Sequence, residues 1–141
     1  MNKCSILSPC GMLGYGFPEQ SFRNGLAMNP DAIVVDAGST DAGPHKLGAG
    51  VSIVSRMAVR KDLSLIIPEG LKRHIPVIIG SVGGAGSRIH VNWTLEIVED
   101  ILKEHRLDAK LAVIYTDVDK SIIKDAIANN RIFSMGSNIP D

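Results

Sequence analysis

At 141 residues the chain is long enough for one compact domain, and its 45% hydrophobic and 21% charged residues are the balance of an ordinary globular protein, which excludes a disordered or membrane-embedded chain. Its 15 basic residues offset 15 acidic ones with no run of Lys and Arg among aromatics, so the electrostatic footprint of nucleic-acid binding is missing. Cys4 and Cys10 are too few for a disulfide framework and form no CxxC pair, so both are read as free thiols and no metal site is expected.

The first apolar run, residues 4–7, reads as a strand that leads into Gly11, Gly14 and Gly16. Without a basic start, a long apolar stretch and a small-residue cleavage site, it does not read as a secretory leader, and the expected location is the cytoplasm. Pro18 and Glu19 open a helix expected to end near Met28, with Pro in the first turn and an acid at the positive end of the dipole. Residues 32–35 form the second strand, which runs into Asp36 and a long loop through His45. Residues 55–74 are helical in pattern, but Pro68 and Gly70 are expected to divide them into two pieces. Residues 77–79 form the third strand, followed by the glycine-rich loop 80–87. The firmest helix is 90–106, with Val91, Leu95, Val98 and Leu102 on one side and Glu96, Glu99, Asp100, Lys103 and Glu104 facing away. Residues 111–115 read as a fourth strand. Asp117 or Asp119 is expected to cap a helix to about Ala128 with Ile122, Ile123, Ala126 and Ile127 turned to the core, and residues 132–135 to start a fifth strand.

Short apolar strands without polar alternation, spaced to leave room for helices, define an α/β fold: a Rossmann-like parallel sheet with helices on both faces, of four to five βα units, in a single domain spanning 1–141. The stop soon after the last strand reads as the N-terminal part of a longer architecture.

Eleven of the 14 glycines fall in three clusters, each directly after a strand. All strand C-termini of an open parallel sheet lie on one edge, where ligands bind, and glycine lets backbone amides turn toward an anion without a Cβ in the way. The candidate ligand-binding residues are therefore Gly11, Gly14, Tyr15 and Gly16 in the first loop, Asp36, Gly38, Ser39 and Thr40 in the second, and Ser81, Gly83, Gly84 and Gly86 in the third. The third loop is the best anion candidate because it opens the firmest helix, although it matches neither the dinucleotide fingerprint nor a Walker loop. Replacing Gly83 by Val, or Asp36 by Ala, is expected to weaken a ligand without unfolding the chain. Asp41 and His45 are the candidate proton-transfer groups. The competing reading of Asp36 and Asp41 is that they tie the loop to its own backbone. Cys10 has no evident base and is read as an inert thiol, and Arg88 and His90 close the third loop, either toward an anionic substrate or toward solvent.

The strings 11–19 (GMLGYGFPE), 31–41 (DAIVVDAGSTD) and 79–86 (IGSVGGAG) resemble the N-terminal portion of the acyclic terpene utilisation family, the AtuA-like proteins, DAGSTD being the most specific part. The resemblance spans nearly all of this chain but only about the first third of a typical family member. It implies a cytoplasmic bacterial protein of branched or terpenoid acid catabolism, often acting on acyl-CoA derivatives, and it supplies no catalytic residues to carry over. The resulting expectation is a small anionic metabolite, carboxylated or CoA-linked, held across the three loops, with a homo-oligomer or a C-terminal domain or subunit as partner. Two alternatives stand beside it: a nucleotide-binding ATPase or kinase module, because residues 36–40 match the D-x-G-S-T loop of actin-like ATPases, and a non-catalytic metabolite-binding subunit.

Overall fold

The computed structural model describes residues 3–38 and 43–133. Three strands, β1 (Ile6–Leu7), β2 (Ala32–Asp36) and β3 (Val77–Gly80), form one parallel sheet in the order β1-β2-β3. The described helices are α1 (Glu19–Ala27), α2 (Gly43–Ala49), α3 (Arg56–Arg73), α4 (Arg88–His105) and α5 (Lys120–Ala128).

The register explains which side chains are buried. Leu7 lies opposite Ile33, Ile33 opposite Val77, and Val35 opposite Ile79, so these five share one face. That face meets the core built by Phe22 and Leu26 of α1, Val59, Leu63, Ile66 and Ile67 of α3, and Ile97, Val98 and Ile101 of α4. Each fully buried aliphatic side chain there contributes about 1.5–3 kcal/mol. The alternate face carries Ile6 and Ile78, which are 60% and 52% exposed. Helices were expected on both faces; in the structure this second face is open at both positions.

The helix ends follow local chemistry. The Ser55 hydroxyl accepts from the Ala58 amide at 3.2 Å and starts α3, and His74 closes it in a left-handed conformation. Arg56 reaches Asp100 at 2.8 Å and Arg60 pairs with Glu104, which sets α4 along α3.

Four expectations are corrected. First, α3 is a single helix of 18 residues that runs through Pro68. The lost hydrogen bond falls between Pro68 and Ser64, both at a surface groove of about 360 Å³ between α1 and α3, while Val59, Leu63, Ile66, Ile67 and Gly70 hold the opposite side in the core. Second, residues 111–115 join no ladder, so the sheet has three strands rather than four or five; Leu111, Val113, Ile114 and Tyr115 are all exposed. Of the expected fifth strand, Ile132 and Phe133 are exposed and pair with no strand among the described residues, and the remainder lies outside them. Third, α5 forms where expected, with Asp119 accepting from the Ser121 amide at 2.7 Å, but none of its residues is buried, and Ile122 and Ile127 are each 60% exposed. Fourth, α2 occupies part of what reads as a long loop. No described helix is long and apolar enough to cross a membrane.

Candidate functional site

Because the strands are parallel, the segments after Leu7, Asp36 and Gly80 leave from one rim. They also touch. The Leu13 amide in the first loop donates to the Asp36 carbonyl at 2.7 Å, and the Ala37 amide donates to the Gly80 carbonyl at 2.9 Å. A Cβ built on Gly38 would stand 2.6 Å from the Ser81 side chain and 3.2 Å from the Gly84 carbonyl oxygen, so the second and third loops meet at a distance only glycine permits.

The first loop is organised by a residue the sequence did not single out. Asp62 of α3 is 2% exposed, and its Oδ2 accepts the amides of Gly14 at 2.7 Å and Gly16 at 3.1 Å. Both glycines have positive φ, which aims their N–H groups inward. The donor role expected of these glycines is thus exercised toward the protein's own carboxylate, which meets the requirement that a buried charge be hydrogen-bonded. The signal missed was one acid, Asp62, at helical spacing with Val59, Leu63 and Ile66 on the buried side of α3. Gly11 has open space around it, and Tyr15 is 67% exposed. The Cys10 thiol pKa is raised, first by burial and then by the charge of Asp62, which keeps it in the poorly nucleophilic thiol form.

In the second loop Asp36 is exposed, and its Oδ1 accepts the Gly38 amide at 2.9 Å, the local tie that short acidic side chains make in turns. Ser39, Thr40 and Asp41 lie outside the described residues. His45 is exposed on the first turn of α2 with no hydrogen-bond partner among the described residues.

The third loop is a tight left-handed construction. Ser81, Gly83, Gly84 and Gly86 all have positive φ, and a 3-10 turn spans Val82–Gly84. Gly83 leans on α4 so closely that a Cβ would lie 2.7 Å from the His90 Cβ and 2.8 Å from the His90 carbonyl oxygen. Gly83→Val therefore breaks the packing of the loop, and the expectation that it would spare the fold is corrected. The loop ends at Ser87, the N-cap of α4. The first helical amide, that of Arg88, donates to Asp117 Oδ2 at 2.8 Å, and Thr116 ties to the Gly86 carbonyl through its amide at 3.2 Å. Arg88 lays its guanidinium over the Tyr115 ring, 4.2 Å from the centroid.

The His90 ring is turned away from solvent. It is 1% exposed, with Nδ1 2.8 Å from the Ser87 hydroxyl and Nε2 3.1 Å from the Val51 carbonyl oxygen. Among the described residues no group of three or more His, Cys, Asp or Glu is placed to hold a metal ion.

These features define a mixed α/β protein with a three-stranded parallel sheet whose loops meet on one rim. No protein-family model, curated protein or solved structure matches the chain.

Proposed function

We propose that the protein binds a small anionic metabolite, carboxylated or CoA-linked, on the rim where the three loops meet. The observation that supports this reading is their convergence, seen in the 2.7 Å bond from Leu13 to Asp36 and the close passage of Gly38 over Ser81. Asp62 and Asp117 occupy the amides of Gly14, Gly16 and Arg88, and the amides of Gly38, Gly84 and Gly86 donate to Asp36 Oδ1 and to the Ser81 and Val82 carbonyls, so in this reading the ligand meets the side chains of Asp36 and Ser81, where the second and third loops touch. A Rossmann-like character of the sheet, a place among the AtuA-like proteins of acyclic terpene utilisation, a cytoplasmic location, and a homo-oligomer or C-terminal partner belong to the same reading. They rest on the three sequence strings and on the parallel strand order.

Calorimetric titration of the full chain with CoA, inorganic phosphate and a short branched carboxylate is the test. At least one should bind, and Asp36→Ala should weaken that binding by about tenfold, the scale of one hydrogen bond to a charged group. No binding by any of the three, or an affinity indifferent to Asp36, overturns the reading.

A further inference from the structure

We infer that Ser87, His90 and the Val51 carbonyl form a nucleophile, base and orienting group for acyl transfer from an activated ester or thioester. This inference stands apart from the anion-binding reading, and a failure of CoA or phosphate to bind leaves it intact.

The tautomer follows from the partners. A carbonyl oxygen can only accept, so the 3.1 Å contact with Val51 places a hydrogen on His90 Nε2. In the neutral ring Nδ1 is then bare and accepts from the Ser87 hydroxyl at 2.8 Å. Hydroxyl, imidazole and fixed acceptor stand in the order that activates a serine, with a backbone carbonyl in the place more often held by a carboxylate. Burial of His90 to 1% exposure prevents the ring from turning away, while Ser87 itself is only partly buried.

A second observation concerns the helix end. An N-cap serine normally accepts from the amide of the second or third helical residue, at a gain of about 1 kcal/mol. Ser87 makes no such bond; its hydroxyl is directed to His90. The amides of Ile89 and His90, in the first turn of the helix that Ser87 caps, have no acceptor among the described residues, and in this inference they are the donors for the oxyanion of a tetrahedral intermediate. A departure from a local rule of this kind belongs at a functional position. His90, though not Ser87, borders a surface groove of about 580 Å³ in which Val51, Val54, Ile89 and Trp93 stand beside Arg56, Asn92 and Glu96, a mixed lining open to a substrate with both apolar and polar parts.

The step balances without an added oxidant or metal. Ser87 Oγ forms a bond to the acyl carbon as its proton moves to His90 Nδ1. Collapse of the intermediate breaks the bond to the leaving thiolate or alkoxide, which takes that proton. Water then repeats the sequence on the acyl-serine, releasing the carboxylic acid and restoring the hydroxyl.

A fluorophosphonate probe applied to the full chain, with the adduct mapped by peptide mass spectrometry, provides the test. Ser87 should be labelled at least about 100-fold faster than the exposed Ser21, the lower end of what a positioned base contributes. Ser87→Ala should lose the adduct while keeping its circular dichroism, and His90→Gln should label at the Ser21 rate. No adduct, an adduct elsewhere, or unchanged labelling in His90→Gln overturns the inference. Should His90→Gln fail to fold, ring nitrogen shifts of the wild-type protein decide instead: a hydrogen on Nε2 with Nδ1 bare supports the relay, and the opposite tautomer sinks it.

Discussion

Cys10 lies partly buried beside Asp62, and its thiol is held above its ordinary range first by burial and second by that negative charge, against a weaker opposite pull from the Met12 backbone. Iodoacetamide at mildly alkaline pH should therefore alkylate the exposed Cys4 well before Cys10. Asp62→Asn should narrow the gap, since an amide oxygen can still accept from Gly14 and Gly16 but carries no charge; equal rates in the wild type would contradict the assignment. The sign for stability follows. With the folded pKa above the unfolded one, the folded form holds its proton more tightly, so this contribution is complete below the unfolded thiol pKa and is lost as pH rises toward the folded value. A second test concerns Thr94, which is 2% exposed and whose hydroxyl has no partner among the described residues. Removing an unsatisfied buried hydroxyl while keeping the shape should stabilise, and Thr94→Val is expected to gain about 1 kcal/mol, a rise of ~2–5 °C in the melting midpoint. A lower midpoint would mean that the hydroxyl is satisfied in solution.

Helix-level behaviour turns on small residues that a propensity argument treats as defects. Gly70 sits within α3, where Ala would be favoured by about 1 kcal/mol on intrinsic grounds. Its Cβ, however, would stand 2.4 Å from Val77 Cγ2, because α3 crosses β3 at that point. Overpacking of this kind costs about 1–3 kcal/mol, so Gly70→Ala should destabilise on denaturant titration, and a stabilised variant would show that the helix rides higher on the sheet. The same glycine explains why α3 was legible only in part. Pro68 and Gly70 read as a break, yet one lies at a solvent groove and the other is the contact that lets the helix approach its strand. The helix from Arg88 to His105 and the cap at Asp119 were readable because periodicity and capping are local. Unpaired residues 111–115 were misread because a run of Leu, Ala, Val, Ile and Tyr satisfies strand composition without saying whether an edge is there to receive it. The rim was legible in outline, since glycines after parallel strands must gather there. Its actual wiring through Asp62 and Val51 depends on residues 48 and 39 positions from their partners, which no local pattern announces, whereas Ser87 and His90 stand only three apart at a helix start, a spacing the sequence does show.

Among the described residues, one face of the sheet is buried against the helices, while the other is open at Ile6 and Ile78 although Ala32 on the same face is buried. Parallel sheets are found almost always with both faces covered, and the open side here carries Ile6 and Ile78 beside the partly buried Val34. The asymmetry makes a direct prediction about where substitutions are felt. Ile33, fully buried against the helices, should lose about 2–5 kcal/mol on replacement by Ala, through lost transfer energy and the cavity left behind. Ile78, 52% exposed and only one strand away, should lose less than ~1 kcal/mol on replacement by Thr, a β-branched residue that suits the strand equally well. Urea titrations of the two variants compare the faces directly, because neither substitution disturbs a backbone hydrogen bond of the ladder. If Ile78→Thr proves as damaging as Ile33→Ala, the second face is covered in solution, and the three-strand, one-sided sheet is not the state in which the protein works.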